Sequence, residues 1–103
     1  MLQKSEIIDY LKSIKDKSAE DGILKIGLFG SYANDVADLH SDIDLAVKFD
    51  DKFLQTHDAW AYFDAINKLK SAVSKKFQIG CDIFDLSSSA TIASYIAKEA
   101  IYV

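Results

Sequence analysis

Apolar positions recur along this chain at two spacings, and the changeovers between them divide it into short elements. Ile7, Ile8, Leu11 and Ile14 follow a three/four spacing, which predicts an amphipathic helix over 5–17 with Lys12, Lys15, Asp16 and Lys17 mostly on its wet side. Ser18–Gly22 breaks that pattern, and Gly22 is a natural stop. Ile23–Phe29 is almost continuously apolar, with Lys25 its one charge, and predicts a strand covered on both faces. Gly30 and Ser31 end it, and Tyr32–Val36 predicts a short helix. After a loop at Ala37–Ser41, Asp42–Phe49 predicts a second strand carrying Asp42, Asp44, Ala46 and Lys48 on one face.

Asp50–Gln55 is polar and reads as a connection. Thr56 is a suitable N-cap, and Asp58 suits a first helical turn. Ala59, Phe63, Ile66, Leu69, Val73 and Phe77 then fit a long helix, whose stripe Trp60 and Tyr62 widen as core or interface packing. Gln78–Leu86 predicts a third strand, with Gly80, Asp82, Phe84 and Leu86 on one face and Cys81, Ile83 and Asp85 on the other. Ser87-Ser88-Ser89 would cap a last helix holding Ile92, Ala93, Ile96, Ala97 and Ala100. The order α-β-α-β-α-β-α predicts an α/β (α+β) class, a small mixed sheet flanked by helices.

Length adds that 103 residues suffice for one core, so a single domain over 1–103 is expected. No apolar run approaches the roughly 20 residues of a membrane span. Met1–Glu6 lacks the apolar block of a signal peptide, so a cytoplasmic location is expected. Cys81 is the one cysteine, which excludes an internal disulfide and a Cys-based zinc site and reads as a small buried residue. The net charge of −4 comes from 12 basic and 16 acidic side chains, with no basic face to attract a nucleic-acid backbone. A small nucleotide carried with magnesium suits an acidic protein better, because the ion supplies positive charge locally.

The chemistry concentrates in Leu28–Val47. A glycine at a strand end admits a phosphate close to the backbone, a serine hydroxyl adds a hydrogen bond, and a following helix start adds free N–H groups. Alone, Gly30-Ser31 is also what an ordinary turn looks like. Asp42 and Asp44 project from the same strand face, and carboxylates that close raise one another's pKa unless a cation separates them. Asp82 interrupts an apolar strand, where an unpaired buried charge is costly. A strand pairing that sets it beside Asp42 and Asp44 would explain it through shared metal coordination. Asp85, on the opposite face and near the strand end, reads as structural.

Gly30-Ser31, ten residues, Asp42-x-Asp44 and the later Asp82 together resemble the polymerase-β-type nucleotidyltransferase superfamily, and the short chain is similar to its minimal nucleotidyltransferase group. The resemblance runs from the first helix to the C-terminal Glu99–Val103 and is sharpest over Gly30–Val47. It implies Gly30 and Ser31 as a triphosphate-binding turn and Asp42 and Asp44 as ligands to two magnesium ions. It further implies Asp82 as the third carboxylate ligand and a candidate general base, with ATP as substrate. Because this chain carries no helical acceptor-binding domain, the resemblance implies a separate helical partner, a HEPN-family ribonuclease toxin, in a hetero-oligomer. In such pairs the nucleotidyltransferase is an antitoxin that transfers AMP to a tyrosine of the toxin. One departure stands out: where the family carries a basic residue and a glycine, this chain has Asn34 and Asp35, and Asp35 adds negative charge near the phosphate turn.

Two other readings fit the same residues. One is a binding module that neutralises its partner by occlusion. The other is a small-molecule nucleotidyltransferase of the aminoglycoside-modifying kind with a detached helical subunit.

Overall fold

The N-terminal periodicity produces helix α1, Lys4–Glu20, in the computed structural model, which describes all 103 residues. Its first turn is closed by a reciprocal cap between Gln3 and Glu6. Ile7 and Leu11 are its fully buried stripe. The chain turns at Gly22, whose φ of 91° suits a residue without a Cβ. It continues into β1, Ile23–Phe29.

Strand β1 pairs antiparallel with β2, Ile43–Phe49, and β2 pairs in parallel with β3, Cys81–Asp85. A two-residue strand β4, Ile101–Tyr102, adds to the free side of β1, giving the sheet order β3-β2-β1-β4. A register shift between Ile23 and Lys25 turns Leu24 outward, so β1 is covered on both faces only from Ile26 to Leu28. Helix α1 and the long helix α4, Ala59–Phe77, cover one sheet face. Ile7, Leu11, Ile26, Leu28, Ile43, Leu45, Val47, Leu69 and Val73 form the centre of that core. Each such side chain contributes about 1.5–3 kcal/mol on burial. Ala46 is buried too, outside that cluster, as are Ala93 and Ile96 of α5, Ile92–Glu99.

Several boundaries differ from the sequence expectation, each for a local reason. The segment read as a polar connection contains helix α3, Asp51–Thr56, capped by the Asp50 carboxylate, which accepts from the Lys52 N–H at 3.1 Å. Phe53 holds it down, with its ring over Gly22 and stacked on His57 at 4.0 Å between centroids. Asp58, not Thr56, caps α4 by accepting from the Ala61 N–H at 3.0 Å. The buried stripe of α4 runs through Ala65, Leu69 and Val73, which leaves Trp60 (83%) and Phe63 (57%) exposed.

The third strand is shorter than expected because Gln78 adopts φ 56° at the end of α4, so extended pairing begins only at Cys81. No Ser87–Ser89 hydroxyl caps α5, which starts after Thr91. Ser88 instead accepts from the Ala90 N–H at 3.2 Å within the preceding turn. Strand β4 leaves no trace in the sequence pattern, since two residues carry no periodicity. It is held by the Tyr102 hydroxyl, which donates to the Ala97 carbonyl at 2.7 Å, and by Gly27, whose missing Cβ leaves room for the Tyr102 ring.

Candidate active site

Three elements meet where β1 ends: the β1–α2 turn, the start of β2 and the start of β3. Helix α2 is a single turn, Gly30–Ala33. Gly30 sits at φ 78°, and a Cβ there would lie 2.3 Å from Oδ2 of Asp44. The Asp44 carboxylate therefore lies directly against the backbone of the Gly30 turn. Asn34 fastens that turn: its backbone N–H and its side-chain amide both donate to the Gly30 carbonyl, at 3.1 and 2.9 Å.

Asp44 and Asp82 are register partners in the parallel β2–β3 pair, so strand alternation puts both carboxylates on the same sheet face. The register is pinned at both ends. The Ile43 N–H donates to the Gly80 carbonyl and the Leu86 N–H to the Val47 carbonyl, each at 2.8 Å. Asp42 lies one residue before β2 and faces Gly80, where an added Cβ would come within 2.6 Å of its Oδ1. It is delivered by a loop that Asp38 ties down, its Oδ1 accepting from the His40 N–H at 2.8 Å and from the Ser41 hydroxyl at 3.2 Å.

The structure thus brings Gly30, Asp44, Asp82 and Asp42 into one region, with Ser31 beside them. Asp82, expected as a buried charge from its apolar neighbours, is exposed: it stands on the open sheet face and carries no burial cost that needs relief. Asp85 is structural, as its position implied. It accepts from the Tyr62 hydroxyl and, at 2.8 Å, from the Ser87 N–H. Desolvation first, and then Asp85, push the Tyr62 hydroxyl up to about 12. Burial likewise pushes the Cys81 thiol up to about 12, with Asp82 adding to it, as befits an inert core cysteine.

The Asn34–Asp35 departure has a structural counterpart that sequence reasoning missed. Asp35 takes the left-handed conformation, at φ 59°. Its carboxylate pairs with the Lys4 ammonium at 3.1 Å, which offsets the negative charge it brings to the turn.

No three His, Cys, Asp or Glu side chains converge on one point that would hold a metal ion. The donor chemistry nevertheless fits a hard cation: three carboxylates, two of them against glycines that leave room for their oxygens. The proton affinity of Asp44 is raised, by burial first and then by Asp82 and Asp42, a repulsion that a cation would relieve.

That shift has a measurable consequence. A carboxyl whose folded pKa lies above its unfolded value stabilises the native state fully below the unfolded pKa, and loses that contribution as pH rises through the folded one. Removing the charge at Asp44 should therefore help at neutral pH. In metal-free buffer, Asp44→Asn is expected to melt a few degrees above the parent protein at pH 7 and level with it near pH 3.5. The gain stays small because the group is partly solvent-screened. Magnesium should raise the melting temperature of the parent and not that of the variant. Equal melting temperatures at pH 7 would remove the repulsion argument.

Known proteins share this architecture. The structure of a candidate minimal nucleotidyltransferase superposes with a TM-score of 0.75 at 22% identity, over 97% of this chain and 95% of that one. A toxin–antitoxin structure with AMP-PNP matches at 26% identity and a TM-score of 0.59, over 98% of this chain and 72% of that chain. A mutant of the toxin–antitoxin pair MntA-HpeT matches at 24% identity and a TM-score of 0.56, over 98% and 71%. No curated protein matches the chain. The family profile described as polymerase beta, nucleotidyltransferase spans residues 6–103. With that span and the shared mixed sheet, the chain belongs to the polymerase-β nucleotidyltransferase family and has its fold.

Proposed function

We propose that this chain is a magnesium-dependent protein adenylyltransferase, an antitoxin that transfers AMP from ATP to a tyrosine hydroxyl of a HEPN-family ribonuclease toxin. The observation that carries this reading is the seating of Asp44 against the Gly30 turn and opposite Asp82. It sets a phosphate-accepting backbone beside paired carboxylates. The likeness to a toxin–antitoxin structure with AMP-PNP supports both the nucleotide and the setting. Trp60 and Phe63, exposed on α4, give a partner apolar surface to cover.

In this reading Gly30 and Ser31 bind the triphosphate, and the Ser31 hydroxyl is free to do so because no protein group engages it. Asp42, Asp44 and Asp82 would hold magnesium, which when bound neutralises phosphate charge and polarises the α-phosphoryl group. Asp82 takes the proton of the acceptor hydroxyl. A new bond joins the acceptor oxygen to the α-phosphorus, the α–β bridging bond breaks, and pyrophosphate leaves with the electron pair. Positioning and charge neutralisation supply most of the acceleration.

The test is incubation with ATP and magnesium, with and without the HEPN-family partner and separately with an aminoglycoside, followed by intact mass of both proteins and of the aminoglycoside. Mass gains in steps of one AMP on the partner are expected, mapping to tyrosine. A stable complex with no adduct would replace this reading with neutralisation by occlusion. An adduct on an aminoglycoside instead would make the chain a small-molecule enzyme.

A further inference from the structure

A cavity of about 660 Å³ opens between α4 and the start of β3. Its walls include Asp42 and Asp82 but not Asp44, Gly30 or Ser31, and Cys81 is the one apolar residue among the nine that line it. Helix α4 contributes Lys70, Ser71, Ser74 and Lys75 to the same lining, at the sheet edge where the start of β3 meets it. Neither lysine forms an ion pair with any group of the protein, where only Lys4 and Lys68 do. The Lys70 charge opposes the rise in proton affinity of the Cys81 thiol in the same lining. Two unpaired ammonium groups and two hydroxyls that share one cavity with two carboxylates form a site for a ligand rich in oxygen atoms, and one that can offer a hydroxyl to Asp82.

The sheet order says which ligand. Gly30 ends β1, Asp44 lies on β2 and Asp82 on β3, so the cavity and the Gly30 turn lie on opposite sides of the carboxylate row. In-line displacement requires the nucleophile to approach opposite the leaving group. A triphosphate held at Gly30-Ser31 directs pyrophosphate toward β1, and the attacking hydroxyl must then arrive from the β3 side.

We infer that the cavity between α4 and β3 is the acceptor site, and that Lys70 and Ser74 position the incoming hydroxyl by binding carbonyl or carboxylate oxygens of the segment that carries it. The acceptor is thus a polar, oxygen-rich peptide segment, and Lys70 is a positioning residue that leaves ATP binding to the Gly30 turn. This inference rests on the proposed function for its reaction, and the cavity's occupant can be read without turnover.

The experiment uses Ser74→Cys in the full chain. The native Cys81 is 4% exposed, so iodoacetamide reports on the new thiol alone. Alkylation is timed with magnesium and ATP, with the HEPN-family partner, and with both. Slowing by the partner and not by ATP is expected. Protection by ATP alone would make the cavity part of the nucleotide site and overturn the inference, as would no protection by the partner once a complex is seen by gel filtration. In parallel, Lys70→Met should raise the KM for the partner roughly tenfold with the KM for ATP unchanged, and Lys70→Arg should restore it. A rise in the ATP KM alone would also overturn it. If the parent chain transfers no AMP at all, the proposed function falls while the alkylation result still reports what enters the cavity.

Discussion

Asp44→Asn is expected to lower AMP transfer by at least about 10³-fold while the variant remains folded, and Asp42→Asn to do nearly as much. The substitution preserves the size and planarity of the side chain and removes only its charge. Asp44 is the centre of the site, lying against the Gly30 turn and opposite Asp82 in register. Its repulsion by the other two carboxylates means that neutralising it should not harm the fold. Single-turnover transfer to the partner, with circular dichroism and a melting curve alongside, separates the two effects. Transfer near the parent rate in either variant would sink the assignment of these carboxylates to the reaction.

Gly30→Ala carries the second large effect, and it should appear in both stability and activity. The added methyl meets two obstacles at once, a φ of 78° that side chains resist and the Asp44 carboxylate 2.3 Å away. The conformational strain costs about 1–2 kcal/mol. The carboxylate must also swing aside, and a displaced reacting group of this kind costs on the order of 10²-fold in rate. Gly80→Ala is the informative comparison. Its Cβ crowds Asp42 at 2.6 Å without a left-handed backbone. Urea denaturation should show the larger loss for Gly30→Ala. Equal stability losses would mean that crowding alone, and not backbone conformation, reserves position 30 for glycine.

How much of this was legible beforehand depends on the range of the interaction concerned. Strand parity sets Asp42 and Asp44 on one face from their spacing alone, and the same parity assigns Asp85 to the other. That Asp82 joins them followed from supposing a pairing, and the β2–β3 register has that pairing. The exposure of Asp82 was not legible, because an apolar neighbourhood in sequence does not say which face of an edge strand is covered. Helix α3 was hidden because one half-buried aromatic, Phe53, anchors a largely polar turn, and its socket at Gly22 is 31 residues away in the chain. Lys4 and Asp35 are equally distant, so the compensation of the Asp35 charge could not be read locally. Strand β4 depends on the gap left by Gly27, a long-range fit with no periodic signal.

The β2–β3 pairing has a consequence for the order in which the molecule matures. Strands β1 and β2 are joined by a short excursion and close as a near-local antiparallel pair. The parallel pairing of β3 waits for α3 and α4 to be in place. The carboxylate row is completed only by this non-local pairing. A chain released early, or kinetically trapped before β3 docks, holds the Gly30 turn and two of its three carboxylates. Catalytic competence is then a late checkpoint on topology, acquired only by chains that have finished their crossover.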